Sequence, residues 1–161
     1  GRGGHHRPFN DVGYAGIRIM EAHENYIMQH QDIRFENGIS FGDVIEGVDF
    51  EYAKKLTSVN AINLASLAWA PPTVKKFSIG GIVQASVKFK WEKLNDPKIA
   101  GYKIYWRDTT SSFWQYERFI GDINSYKLEG IVIDNFFFGI STVGKNGFES
   151  QIVFPNGVFK N

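Results

Sequence analysis

The sequence predicts an α/β fragment followed by an all-β sandwich of the immunoglobulin-like type. Over residues 56–67, mostly apolar residues recur every three or four positions, as on one face of a helix, whereas after residue 86 apolar residues alternate with polar ones, as in strands. Between these regions the stretch "WAPPTVKK" holds two adjacent prolines, which cannot continue a helix. We therefore divide the chain into residues 1–70, a linker at residues 71–73, and residues 74–161.

The composition is globular and excludes several classes of function. Apolar residues make up 43% of the chain, too many for a disordered protein, and no apolar run is long enough to span a bilayer. The net charge of +1 gives no electrostatic argument for nucleic acid or an acidic membrane as a partner. Without cysteine there is neither a disulfide framework nor thiol catalysis. Because the first residue is Gly1, we expect the chain to begin inside a longer reading frame or after processing.

Two elements are predicted in the first region. The apolar run "GIRIM" is bounded by glycine and charge, which is typical of a buried strand whose end would deliver Glu21 into a loop. In open α/β sheets, loops at the carboxyl ends of strands carry the chemistry. The second element is a helix over residues 49–68, with Asp49 at its N-cap and Glu51 in the positive first turn. Its mostly apolar face consists of Leu56, Val59, Asn60, Asn63, Leu64 and Leu67.

The second region is predicted to consist of short strands. In "SVKFKWEKL", Val87, Phe89 and Trp91 alternate with charged residues, and the same period recurs in "GYKIYWRD". The segments "FWQYERFIG", "SYKLEGIVI", "NFFFGISTV" and "ESQIVF" follow, separated by turn sequences such as "TTSS" and "GKNG". Strands with turns at this spacing favour a β-sandwich, and about ninety residues suffice for seven strands.

This region also resembles a known family. The stretch "FKWEKLNDPKIAGYKIYWRD", followed by "SYKLEGI" and "FFFGISTVGKNGFES", resembles a fibronectin type III domain. The resemblance implies that Trp91 is the strand-B tryptophan and that Tyr102 and Ile104 lie in strand C. It places Leu128 in the turn before strand F. Phe136 stands where the tyrosine of the tyrosine corner is expected, so the hydrogen bond of that corner should be missing.

The aromatic residues of the sandwich suggest a carbohydrate or protein ligand. Tyr105, Trp106, Trp114 and Tyr116 could form an exposed platform for a sugar or a peptide. Strand alternation places about half of such residues in the core, so packing is the favoured interpretation.

The stretch "MEAHENYIMQHQD" is rich in potential metal ligands. A zinc ion takes three or four ligands, but His23 and His30 are seven positions apart, and neither an HExxH nor a CxxC pattern occurs. From the residues alone, His5, His6 and His23 are surface or hydrogen-bonded side chains, and His30 is either the same or a metal ligand.

A second resemblance bears on that choice. The stretch "HRPFNDVGYAGIRIMEAHENYIMQHQD" resembles the closing segment of the co-catalytic two-zinc aminopeptidases, peptidase family M twenty-eight. The positions that match in order are His6, Pro8, Phe9, Gly13, Ala15, Glu21, His30 and Asp32. The helix from Asp49 matches the last helix of that family.

The resemblance implies roles for several residues. His30 would be the final zinc ligand, and His6 would lie near the active site without binding metal. Glu21 and Asp32 would either orient their surroundings by hydrogen bonds or simply close a loop. Asn25 and Tyr26 would line a pocket or pack, and packing is favoured.

The same resemblance implies that the enzyme is incomplete in this chain. The remaining ligands of two zinc ions, and the general base, would lie before Gly1, so we expect no catalytic residue here and an inactive fragment. The apolar faces of the first seventy residues would then be exposed. The intact protein would be an exported bacterial exopeptidase, periplasmic or extracellular, acting on peptides.

Two other interpretations remain. The chain could be a non-catalytic binding or adhesion module with a helical extension. Metal storage by His5, His6, His23 and His30 together is disfavoured, because no ligand spacing supports it.

Overall fold

The computed structural model describes residues 3–14, 16–81 and 84–159, so Ala15 of the peptidase resemblance lies outside the described residues. The chain divides into two compact units, Gly1–Lys55 and Leu56–Asn161. Within the described part of the chain, no helix has the length and apolar character that crossing a membrane requires.

The first unit contains little regular structure. Its elements are a short helix α1 (Arg7–Asp11), a hairpin of β1 (Arg34–Glu36) and β2 (Ile39–Phe41), a 3-10 turn (Ile45–Gly47), and the start of a long helix. The hairpin turns at Asn37 and Gly38, whose φ angles are both positive at 51° and 78°. Asn-Gly is the preferred pair for such a two-residue turn, because both central residues need a left-handed backbone.

The predicted strand "GIRIM" is wrong for this chain. Residues 16–20 form no strand and pair with none among the described residues, and Ile17 is 74% exposed. A strand needs a neighbour to take its backbone hydrogen bonds and a second layer to cover its side chains. Neither is present in this unit as described, so its elements do not show the α/β fold predicted for the region.

The predicted helix is confirmed. Helix α2 spans Phe50–Trp69 and begins after Asp49, whose Oδ1 accepts a hydrogen bond from the Tyr52 amide at 3.0 Å. This is the expected N-cap contact, and the helix ends shortly before Pro71. Apolar side chains along the helix remain exposed, notably Leu64 at 69%.

The predicted immunoglobulin-like sandwich is also confirmed. Its first sheet has the order β7-β4-β3-β9, and its second the order β6-β5-β8. Neighbouring strands are antiparallel except β3 and β9, which are parallel. The strands are β3 (Lys75–Gly80), β4 (Ser86–Glu92), β5 (Ile99–Asp108), β6 (Tyr116–Gly121), β7 (Ser125–Glu129), β8 (Phe136–Gly144) and β9 (Gly157–Val158).

Two strands differ from the sequence prediction. β3 was not predicted, because its register shifts between Lys75 and Ser78, which breaks the alternation. The predicted strand "ESQIVF" forms only two isolated bridges to β8, at Glu149 and Val153. Between those bridges the Ser150 hydroxyl accepts the Thr142 amide, so a side chain interrupts the backbone ladder.

The core between the two sheets contains the residues implied by the fibronectin resemblance. Trp91, Tyr102 and Ile104 are buried, and the Trp91 ring lies 5.3 Å from the Tyr102 ring in an edge-on contact. Leu128 is buried within β7, paired with Val87, so its predicted place in a turn is wrong. Its side chain is needed in the core, and strand pairing holds it there.

For two of the four aromatic residues considered as a binding platform, the prediction that they pack in the structure is confirmed. Tyr105 and Trp106 are 7% and 8% exposed. Tyr116 remains 46% exposed and stacks on Trp106 with ring centroids 5.5 Å apart. Trp114 is half-buried and lies 5.9 Å from the Tyr105 ring.

Candidate functional site

His30 lies at the end of a turn in the first unit. Its side chain is exposed, and its φ is 56°, in the left-handed region that residues other than glycine rarely adopt. Backbone strain of this kind is often found where a side chain must point in one direction for function. The geometry therefore presents the imidazole outward from the first unit.

Asn25 builds the turn that carries His30. Its side-chain oxygen accepts the Ile27 amide at 3.1 Å, and its backbone oxygen accepts the Met28 and Gln29 amides at 3.2 and 3.0 Å. Asparagine favours such turns because its side chain replaces a backbone acceptor. The Gly42 amide donates to the Ile27 oxygen at 3.2 Å, which ties the turn to the end of β2.

His6 lies near the start of the chain. It precedes α1, and its backbone oxygen accepts the Phe9 and Asn10 amides at 3.2 and 3.1 Å. A concavity of about 660 Å³ beside it is lined by His5, His6, Phe9, Tyr14 and Gly16. The side chain of Asn10 accepts the Gly16 amide at 2.7 Å and donates to the Gly16 oxygen, which closes the loop behind this concavity.

The other residues implied by the peptidase resemblance are exposed. Tyr26 is 62% exposed, and Glu21 and Asp32 are exposed as well. The Asp32 backbone oxygen accepts a hydrogen bond from Arg34 at 3.3 Å.

One ion pair of this unit was missed from the sequence. Arg18 donates to the Gly3 oxygen at 3.2 Å and pairs with Glu24 at 3.5 Å. The Glu24 side chain is only 10% exposed, so this contact helps to hold the segment around Arg18 in place. Neither residue matched a motif, and only the charge alternation around "GIRIM" could have indicated a contact.

The described residues do not by themselves form a zinc site. Across residues 3–14, 16–81 and 84–159, no group of three or more His, Cys, Asp or Glu side chains is arranged to hold a metal ion. Zinc needs three or four ligands, and His30 would supply one nitrogen. No hydrolytic step can therefore be assigned to this chain alone.

Among the described residues, the side chains whose pKa clearly departs from its ordinary value form one cluster on the sandwich, which consists of Lys103, Tyr105 and Glu149. Glu149 accepts hydrogen bonds from Lys103, from the Tyr105 hydroxyl and from Ser141. Burial would raise the pKa of Glu149, but these hydrogen bonds outweigh it and lower the pKa. Burial and the bond to Glu149 raise the pKa of Tyr105 to about 12. Burial would lower the pKa of Lys103, but its contacts with Glu149, Tyr105 and Glu117 raise it.

No protein-family model matches the chain. Its sequence is 41% identical over 155 residues to a probable zinc metalloprotease of Pyrenophora tritici-repentis (strain Pt-1C-BFP), an alignment that covers 96% of this chain and 32% of that protein. The chain is similar to zinc metalloproteases. A probable zinc metalloprotease of Phaeosphaeria nodorum is 38% identical over 165 residues, with 99% of this chain and 33% of that protein covered. The chain thus spans about a third of the length of these curated relatives.

Two solved structures match somewhat more than half of the chain. A Fn3-like protein from Clostridium thermocellum matches 57% of this chain and 95% of its own, at 13% identity and a TM-score of 0.43. The FN5 domain of Drosophila Lar matches 52% of this chain and 92% of its own, at 16% identity and a TM-score of 0.39. Because both scores are below 0.5, the fold assignment depends on the strand pairing described above.

Proposed function

We propose that this chain is part of a zinc-dependent exopeptidase of the aminopeptidase type, with an appended fibronectin type III-like module. The observation that carries the proposal is the 41% identity to a probable zinc metalloprotease, which runs over 96% of the chain. An alignment of that extent includes both the His30 segment and the sandwich. The peptide substrate and the activity belong to the whole protein.

His30 is proposed as one zinc ligand. Its exposed imidazole and left-handed backbone support this role, because a ligand must reach a metal ion that side chains of other segments also bind. When bound, two zinc ions would polarise the substrate carbonyl and supply a water nucleophile at neutral pH. The contribution of this chain would be to fix the position of one ligand.

The residues around His30 are proposed to position it. Asn25 orders the turn through its hydrogen bond to the Ile27 amide. Glu21 and Asp32 carry carboxylates that could accept an imidazole N–H, as partners of zinc-bound histidines commonly do. His6 and Tyr26 are proposed to border the site, His6 through the concavity that it lines with Phe9 and Tyr14.

The remaining features of the parent are proposals as well. We infer that residues 1–70 complete the peptidase domain, that residues 71–73 are a linker, and that residues 74–161 are the appended module. We also propose export to the periplasm or the extracellular space. By itself the chain should be inactive, because its described residues include no cluster of three or more side chains arranged to hold a metal ion.

The test is to extend the reading frame upstream and assay the whole protein. We expect the missing His and Asp ligands and an adjacent Glu-Glu pair, in which the first Glu is the general base and the second a ligand. We also expect release of the first residue from peptides with a free N-terminus. The same peptides with an acetylated N-terminus are the matched control and should not be cleaved. Activity should disappear with a zinc chelator and return with added zinc.

Two results would contradict the proposal. Cleavage of the acetylated peptides at the same rate would exclude an aminopeptidase. An upstream frame without the ligand pattern would instead favour a non-catalytic binding or adhesion module.

A further inference from the structure

Three lysines form a cationic patch on the outer face of the four-stranded sheet. Lys88 and Lys90 lie on β4, and Lys127 on β7 pairs directly with Lys88. The intervening residues Val87 and Phe89 are buried in the core, so the lysines point away from it. Residues two apart on a strand are about 7 Å apart, and directly paired residues are about 5 Å apart. The three ammonium groups can therefore reach one ligand.

The charge of this lysine patch is poorly balanced. Lys127 forms an ion pair with Glu129 at 2.6 Å, whereas the described residues give Lys88 and Lys90 no carboxylate partner. Like charges directly opposite each other destabilise a sheet. The pairing of Lys88 with Lys127 therefore works against folding stability, which favours a functional reason for it.

Protection of a sheet edge does not explain the patch. Lysines on edge strands prevent sheets from pairing with one another. However, β4 lies between β7 and β3, so Lys88 and Lys90 are in the interior of the sheet. Lys88 is also half-buried, so part of its side chain is covered by neighbouring atoms.

The patch is bordered by a ring and by hydroxyl groups. Phe159 covers Gly80, where an added Cβ would lie 2.7 Å from the ring, and Lys90 Nζ lies 4.7 Å from the centroid of that ring. Ser78 and Ser125 flank Lys90 on the neighbouring strands. A shallow concavity of about 320 Å³ is lined in part by the three lysines.

We propose that the lysine patch binds an acidic polysaccharide. A sugar chain offers anionic groups to fixed ammonium groups, hydroxyls to the two serines, and C–H faces to the Phe159 ring. Next to the patch, an acidic peptide could add as a strand only at the free edge of β7, whereas Lys88 and Lys90 lie on β4, both sides of which are already paired. This proposal depends on the sandwich alone, so it can fail without affecting the proposed peptidase.

The test is binding of the 161-residue chain to dextran sulfate, with unsulfated dextran as the neutral control. We expect binding to dextran sulfate that weakens as salt is added, and none to dextran. In the double variant Lys88→Gln/Lys90→Gln the dissociation constant should rise about tenfold, because two exposed ion pairs are lost. The control Lys98→Gln/Lys145→Gln removes the same charge from exposed turns elsewhere and should change the constant less than about twofold. Thermal unfolding of each variant checks that it folds.

Several outcomes would overturn the proposal. These are no binding to dextran sulfate, unchanged binding in the patch variant, or an equal loss in the control variant. Binding of duplex DNA or of phosphatidylserine vesicles as tight as that of dextran sulfate would show a general attraction to polyanions instead. A parallel titration with polygalacturonate identifies carboxylate or sulfate as the preferred anion, and tighter binding of either supports the proposal.

Discussion

Lys103 on β5 and Glu149, which follows β8, form an ion pair that joins segments 46 residues apart. The side chains are 17% and 30% exposed, so the pair is partly shielded from water. Tyr105 and Ser141 donate to the same carboxylate. Glu149 thus helps to hold the segment after β8, which forms only two isolated bridges to that strand, against the three-stranded sheet.

Replacement of this carboxylate should destabilise the sandwich. We predict that Glu149→Gln lowers the free energy of unfolding by about 1–3 kcal/mol, because donors of three side chains lose a charged acceptor. Urea denaturation followed by tryptophan fluorescence measures the change. The matched control is Glu117→Gln, since Glu117 is 59% exposed and also contacts Lys103, at 3.3 Å. That variant should lose less than about 0.5 kcal/mol, and an equal loss in both would contradict this account.

The contribution of Glu149 should depend on pH. Its folded-state pKa is lowered from an ordinary value of 4.5, so its stabilisation is present above that value and is lost as the pH falls through the folded pKa. The difference in unfolding free energy between wild type and Glu149→Gln should therefore be constant from about pH 7 to pH 5 and decrease below about pH 4.5. Denaturation curves at stepped pH values measure it. A difference that grew on acidification would have the wrong sign.

Removal of two adjacent buried hydroxyl groups should change the unfolding free energy in opposite directions. Ser141 donates to Glu149 at 3.1 Å, whereas Thr142 Oγ1 is buried without a hydrogen-bond partner among the described residues. We predict that Ser141→Ala lowers the unfolding free energy by about 0.5–1.5 kcal/mol and that Thr142→Val raises it by about 1 kcal/mol. Thermal melts of the two variants decide this. A loss of stability in Thr142→Val would indicate an acceptor or water that the hydroxyl requires.

Gly139 on β8 should not accept a side chain. An added Cβ would lie 2.4 Å from Ile152 and 2.9 Å from Trp114, which cover this part of the sheet. Gly139→Ala should therefore cost about 1–3 kcal/mol of stability through overpacking. Gly157→Ala is the control, because its nearest atom, Ser78 Cβ, is at an ordinary 3.5 Å. Melting temperatures within about 1 °C of each other for the two variants would contradict the packing described here.

The sandwich was predictable because its signal is local. Alternation in "SVKFKWEKL" and "GYKIYWRD" records which side chains face the core, and Val87, Phe89 and Ile104 are buried as that pattern requires. The start of helix α2 was predictable for the same reason, since Asp49 caps a nearby amide. Strand β3 was not predictable in this way, because its irregular register removes the alternation of apolar and polar residues.

The structure of the first unit was less predictable, because it depends on contacts beyond the local sequence. "GIRIM" has the composition of a buried strand, but burial depends on a partner sheet that the sequence pattern cannot supply. The hairpin at Asn37 and Gly38 carried a clear turn signal that was overlooked among the charged residues. The roles of His30 and its neighbours as site residues depend on resemblance, because spacing alone gives one imidazole and no coordination shell.

The zinc content of the purified whole protein tests the role of His30 most directly. His30→Asn removes the imidazole while asparagine tolerates the left-handed backbone at this position, where φ is 56°. His23→Asn is the control, an exposed histidine of the same segment. We predict that His30→Asn loses about one of two zinc ions and most of the peptidase activity, whereas His23→Asn retains both. Full zinc content and activity in folded His30→Asn protein would contradict the assignment.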